Sequence, residues 1–302
     1  MKKTLIALAA VAATGAAFAQ SSVTVYGKVD LGVARNIGSD VTVMQQAAGS
    51  RLGFRGTEDL GGGLKANFQI EHRFAPDTGA QSNANSFWTG RSILGLQGGF
   101  GRVDLGRDYG AAFWTALAGD VFGYDGVAAN GAIAGAGNNT VRFDNAISYT
   151  TPNMAGLTAQ LTVALKEAGA KNGTSFRLAY ANGPIGASLA TEKGMAGQKY
   201  TGVGASYDLG AAKINALISK GESAAGVESD GVLFGVVVPM GAVSLKASYG
   251  TLEVGGNKAK QQLGLGMRYA LSKRTDIYTS LANDSKAKSN KSGVEFGVHH
   301  NF

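Results

Sequence analysis

The sequence predicts an all-β fold, a closed antiparallel barrel of sixteen strands that crosses a membrane. Three observations carry this. Apolar and polar residues alternate with a period of two, the alternating stretches run near ten residues, and sixteen of them follow one another. An apolar face one residue wide belongs to a strand and not to a helix. Ten residues match a tilted strand crossing a bilayer, whereas strands of water-soluble proteins average five or six.

Residues 1–19 stand apart. Lys2 and Lys3 precede an apolar run from Thr4 to Gly15, and Ala17-Phe18-Ala19 supplies a small-x-small cleavage pattern. This is the pattern of a secretory leader, cut before Gln20, and the run is shorter than a spanning helix requires. The expected mature chain, residues 20–302, is one domain, and losing Lys2 and Lys3 lowers the formal charge from +7 to +5. Glycine supplies 46 of 302 residues, proline four and cysteine none. Glycine is thus about twice its usual ~7%. A large closed barrel needs no disulfides. Beyond the leader no 18-residue apolar stretch occurs, which excludes a helical membrane protein.

The first mature segment sets Val23, Val25, Gly27, Val29 and Leu31 against Thr24, Tyr26, Lys28 and Asp30. In the third, Leu64, Ala66, Phe68 and Ile70 oppose Lys65, Asn67, Gln69 and Glu71. The predicted strands span 23–35, 50–59, 63–74, 86–98, 101–108, 140–151, 156–166, 174–182, 184–193, 198–208, 211–220, 230–239, 242–251, 260–271, 274–283 and 292–302. Tight connections carry turn chemistry, as in Gly61-Gly62-Gly63, Asn182-Gly183-Pro184 and Asp208-Leu209-Gly210. Longer polar ones lie near 36–49, 75–86, 108–140, 221–229, 252–259 and 284–291, and 167–173 and 194–197 complete that rim with brief loops. Short turns at one rim and long loops at the other are the layout of a transmembrane barrel. Lipid offers no hydrogen bonds, so strands there must close on themselves, with the polar face turned inward.

Several words of the sequence then resemble one family. They are Val23-Thr24-Val25-Tyr26-Gly27-Lys28-Val29-Asp30, the run from Ser50-Arg51 to Leu64, Phe100-Gly101-Arg102-Val103-Asp104-Leu105-Gly106-Arg107, the run Asp144-Asn145 through Pro152 to Gly156, and a terminal Phe302. Together they resemble the general porins of Gram-negative bacteria, most closely the beta-proteobacterial and neisserial branch, over the whole mature chain. The resemblance implies an outer-membrane homotrimer of 16-stranded barrels among outer-membrane lipids and lipopolysaccharide. It implies that Phe302 is an assembly signal for the barrel-assembly machinery and that the third loop, 108–140, folds into the lumen. A wall of arginines would face that loop; the matching positions are Arg51, Arg91 and Arg142, with Arg55, Arg73 and Lys28 of the same inward parity. In this reading Arg142 alternates with outward Val141 and Phe143, and the acids of the loop are Asp108, Asp120 and Asp125. Acid facing base across a narrow pore sets up a transverse field that sorts ions.

Other chemistry finds little support. His72 has outward parity near a strand end, and His299 and His300 point to opposite faces, so no metal site is expected. No Gly-x-Ser-x-Gly elbow marks a hydrolase, and no catalytic residue or cofactor is implied. No basic run of even four residues suggests nucleic acid. The expected function is passive diffusion of small hydrophilic solutes and ions with a weak anion preference. A substrate-selective anion channel and a surface adhesin or receptor are the alternatives. Lys258 and Lys260, placed in an external loop, serve as the contrast to the arginines.

Overall fold

Alternation in the first strand decides which side of the chain meets lipid. Val23, Val25, Val29 and Val33 are exposed on the outside, while Asp30 and Ala34 on the opposite parity are 1% and 3% exposed. The same two-residue period runs through most wall strands of the computed structural model, which describes residues 22–167 and 171–302. The expected leader and its cleavage point lie outside the described residues.

The strands are β1 (Ser22–Arg35), β2 (Thr42–Gln45), β3 (Arg51–Gly61), β4 (Leu64–Arg73), β5 (Ser92–Gly98) and β6 (Gly101–Tyr109). After the third loop come β7 (Arg142–Thr150), β8 (Leu157–Ala164), β9 (Gly173–Asn182), β10 (Ile185–Lys193), β11 (Lys199–Asp208) and β12 (Lys213–Glu222). The circle is completed by β13 (Glu228–Met240), β14 (Val243–Val254), β15 (Asn257–Ala270), β16 (Thr275–Asp284) and β17 (Ser292–Asn301). β2 and β3 both pair with β1, every later strand pairs antiparallel with the next, and β17 pairs with β1 from Lys28↔Asn301 to Arg35↔Val294. Phe302 fastens the seam, exchanging backbone hydrogen bonds of 3.0 and 3.1 Å with Gly27. The barrel is closed, so no edge strand is left unpaired against lipid.

Among these seventeen strands, β2 and β3 share one place in the wall, which gives the sixteen positions expected. β2 pairs with the upper part of β1 and β3 with its lower part. Between them the chain steps out of the ladder, and Asp30 takes over the freed donors. Its carboxylate accepts the N–H groups of Ala47 (3.0 Å) and Ala48 (3.1 Å) and the hydroxyl of Tyr278 (2.6 Å). Backbone donors left buried and unpaired would be costly, and the inward carboxylate removes that cost.

Two expectations need correction. The loop expected over 252–259 is a two-residue turn, Gly255-Gly256, and pairing continues to Val254↔Asn257. Both glycines have positive φ, 56° and 78°, as a tight hairpin turn matching strand twist demands. Lys258 and Lys260 therefore lie on β15 and not in an external loop. Near the third loop the strict alternation also fails. Pairing of β6 with β7 slips between Gly106 and Asp108, and Asn145 sits at φ 53°. Phe143, expected outside, is in consequence 1% exposed and packs with Ala146, Ala164 and Met195.

The third loop holds two short helices, α1 (Phe113–Gly119) and α2 (Gly131–Ala134). It folds into the lumen and lies along the inside of β10–β15. Wall side chains tie down its backbone: Tyr200 to the Ala134 carbonyl (3.1 Å), Ser219 to Ile133 (3.0 Å), Ser229 to Ala136 (2.6 Å) and Gln262 to Ala129 (3.0 Å). Inward glycines make room for it. A Cβ at Gly231 would stand 2.2 Å from the Ile133 carbonyl oxygen, and one at Gly266 would stand 2.6 Å from the Phe122 ring. Part of the glycine excess is therefore space reserved for a loop distant in sequence.

Candidate functional site

Opposite the loop, β3–β7 and β1 turn cations into the lumen at neighbouring register positions. Lys28 stands directly across from Arg51, and Arg51 from Arg73. Like charges facing each other across strands repel. Glu71, 4% exposed, relieves the repulsion from between them. Its carboxylate lies 2.7 Å from Arg73 Nε and 3.9 Å from Arg51 Nη1, and it accepts the Tyr26 hydroxyl at 3.1 Å. Arg55 lies over the Tyr26 ring, 5.2 Å from its centroid.

Further along, Arg91 grips Asp108 with both ends of its fork, Nε to Oδ1 at 2.6 Å and Nη2 to Oδ2 at 3.4 Å. Tyr109 joins the remaining arginines. Its hydroxyl accepts from Arg142 Nη2 (2.6 Å) and Arg73 Nη2 (3.2 Å), and the Arg142 guanidinium lies 4.3 Å from its ring centroid. Arg91 faces the rings of Tyr109 at 5.5 Å and Trp114 at 5.8 Å. Phe113 stacks on Tyr109, nearly parallel at 11° and 4.9 Å, so the first turn of α1 braces the arginine row from behind. Arg142 thus joins the cluster through Tyr109 and not through the strict alternation expected of it.

The structure brings together all six expected cations: Lys28, Arg51, Arg55, Arg73, Arg91 and Arg142. It divides the three expected acids. Asp108 does not belong to the loop. It lies on β6, is 2% exposed and forms the ion pair with Arg91 on the basic wall itself. Asp120 is turned into its own loop, where its carboxylate accepts the N–H groups of Phe122 (3.0 Å), Tyr124 (3.1 Å) and Asn130 (2.8 Å). It shapes the loop and does not face the arginines. Asp125 alone keeps the expected relation. Burial raises its carboxyl above the usual aspartate range, while the charges of Lys28 and Arg51 pull it back down. Short loop acids can serve the loop's own N–H groups as readily as the lumen, and sequence position does not separate the two roles.

Sequence reasoning missed Glu71, Tyr26, Tyr109 and Trp114 as members of this cluster. Glu71 had a signal, since it shares the inward face of β4 with Arg73. Trp114 had none, because its place depends on how the loop folds back.

Glu192 on β10 holds both stems of the loop. It accepts the Thr140 N–H at 2.5 Å and the Ser175 hydroxyl at 2.9 Å, and the Ser175 oxygen accepts the Ala112 N–H at 2.8 Å.

Residues 4–289 match the family model described as Gram-negative porin. The chain belongs to that family. Outer membrane porin protein 32 of Delftia acidovorans is 35% identical, and the alignment covers the whole of both chains. An outer membrane porin of Bordetella pertussis is 29% identical, again over the whole of both. Among solved structures, an anion-selective porin from Comamonas acidovorans superposes with a TM-score of 0.82 at 31% identity, covering 94% of this chain and all of that one. This porin is accordingly an outer-membrane barrel through which small hydrophilic solutes diffuse passively.

Proposed function

We propose that this porin prefers anions, and that its selectivity arises where the arginine wall faces the third loop. The observation that carries the reading is the charge balance of that wall. Six cations converge there, and only Glu71 and Asp108 pair with them within 4.0 Å among the described residues. Arg142 and Arg55 are held by aromatic rings, which leave their charge uncompensated. Such charges raise the local concentration of anions in a narrow aqueous passage and lower that of cations. Asp125 on the loop supplies the opposing end of a transverse field. The anion-selective character of the Comamonas porin supports the same reading.

The porin acts without catalysis or cofactor in this reading. Residues 1–19 serve as a cleaved leader, residues 20–302 form the barrel with its constricting loop over about 108–140, and Phe302 directs assembly by the outer-membrane insertion machinery. The working form is a homotrimer embedded in outer-membrane lipid and lipopolysaccharide. Single-channel recording in a planar bilayer under a potassium chloride gradient tests the proposal. A reversal potential on the chloride side, with openings in groups of three, is expected. A potential favouring potassium overturns the assignment of selectivity to the arginine wall.

A further inference from the structure

On the other side of the lumen, away from the arginine wall, a cavity of about 190 Å³ lies between α1 and the inner wall of β9–β12. Its polar side chains are Thr115, Arg177, Tyr180, Ser188, Ser206 and Lys213, and no carboxylate lines it. Arg177 Nε is shielded from solvent and has no hydrogen-bond partner in the protein, and the same holds for Thr115 Oγ1. Thr115 is 0% exposed. The cross-strand neighbours of Arg177 are the uncharged Gln160 and Ala190. No carboxylate among the described residues lies within 4.0 Å of its guanidinium, in contrast to Arg51, Arg73 and Arg91. The nearest acid to Lys213 in register is Asp208, directly opposite, and its Oδ1 already accepts the Gly210 N–H at 2.8 Å. Glu192, two positions from Ala190 on β10, has both oxygens engaged by Thr140 and Ser175.

We propose that Arg177, Thr115 and Lys213 form a binding station for a small oxyanion, such as inorganic phosphate, beneath the third loop and separate from the arginine wall. A guanidinium donates two parallel N–H groups to oxygens of a tetrahedral or planar oxyanion, a geometry that a monatomic ion cannot match. The Thr115 hydroxyl adds a donor from the loop side, Ser188 and Ser206 add donors from the wall, and Lys213 adds charge. The volume corresponds to about six waters at ~30 Å³ each, enough for one oxyanion and part of its hydration. Of the eleven buried polar side-chain atoms among the described residues that lack a hydrogen-bond partner in the protein, these two line one basic cavity, where a single ligand serves both. The station goes beyond general anion preference, because it distinguishes oxyanions from chloride and requires none of Arg51, Arg91 or Arg142.

The test is block of chloride current by inorganic phosphate in the full mature protein. In the native porin phosphate should lower chloride conductance along a saturating curve. Arg177→Gln should raise the half-blocking phosphate concentration at least fivefold, with the reversal potential in potassium chloride unchanged. Arg177→Lys, which keeps the charge and loses the fork, should fall between the two. Folding of each variant is read from the heat-dependent shift of the barrel on a gel. Should Arg177→Gln not fold, Lys213→Gln and crystals soaked in selenate replace it, with an anomalous peak expected between Arg177 and Thr115. A half-blocking concentration the same in native and Arg177→Gln protein, or selenate-soaked crystals without that peak, overturns the station. A native reversal potential favouring potassium, with phosphate block still dependent on Arg177, would remove the selectivity reading and leave the station standing.

Discussion

From β3 to β7 the inward positions hold Arg51, Arg55, Glu71, Arg73 and Asp108, whereas from β11 to β14 they hold Gly204, Leu217, Ser219, Gly231, Leu233 and Ser248. Both faces have the same strand geometry. They differ in what lies in front of them. The first meets water and passing ions, and its side chains are long, charged and held apart by carboxylates and rings. The second meets the third loop, and apart from Lys213 and Lys246 its side chains there are mostly small or apolar and offer hydroxyls to the loop's carbonyl groups. Polarity inside a barrel therefore does not by itself mark a surface that solutes touch.

The widest gap between the two faces should appear in ion selectivity. Changing Arg51, Arg91 and Arg142 together to Gln is expected to abolish or reverse the anion preference, read as the sign of the reversal potential in a salt gradient. Changing Lys258 and Lys260 on β15 to Gln should shift it little. Equal shifts would mean that the arginine wall does not govern passage.

The neutral face should respond through packing. Gly231→Val would drive its side chain into the Ile133 carbonyl and the Ser219 hydroxyl, at 2.2 and 2.4 Å from the new Cβ. Overpacking of this kind costs about 1–3 kcal/mol. The loop should lift from the wall, with a lower unfolding temperature and altered single-channel conductance, while the preference for anions survives. Unchanged conductance would show that the loop does not set the width of the pore.

A smaller effect is expected at the loop stems. Glu192→Gln keeps the shape but replaces a charged acceptor of two hydrogen bonds with a neutral amide, a loss of about 1–3 kcal/mol. Open-channel current noise should rise without a change in reversal potential. Quiet currents in that variant would place the loop's anchorage elsewhere, on Tyr200, Ser219 and Ser229.

The smallest effect concerns pH. Burial raises the Asp125 carboxyl, so this acid takes up its proton at a higher pH than an exposed aspartate. As pH falls from neutral through that raised value, the loop loses a negative charge opposite Lys28 and Arg51, and anion preference should increase. Asp125→Asn should start with the higher preference and show less of the rise. An identical pH response in the two proteins would remove Asp125 from the passage.

The strand pattern carried most of the wall. Each of the sixteen wall positions could be read from alternation, because the side chains of a lipid-facing barrel have only two destinations and chemistry separates them cleanly. The Gly255-Gly256 turn was missed because a polar stretch of strand rising above the bilayer looks like a loop by composition. The inward arginines were readable for the same reason as the wall, since parity and charge agree at Arg51, Arg55 and Arg73. At Arg142 parity failed, because one slipped register near Asn145 turns Phe143 inward.

By itself, the sequence determined the barrel, its strand number, the face of each strand outside the slipped start of β7 and the wall on which positive charge would gather. All of these follow from local periodicity under a solvent that forbids unpaired backbone. Only the tertiary structure decided where the third loop lies, which of its acids are spent on its own N–H groups, and that Asp108 neutralises Arg91 instead of opposing it. It also brought Thr115 to Arg177, residues 62 positions apart in the chain. Those outcomes depend on contacts between distant segments competing for the same carboxylates and hydroxyls, and no local pattern records which competitor wins.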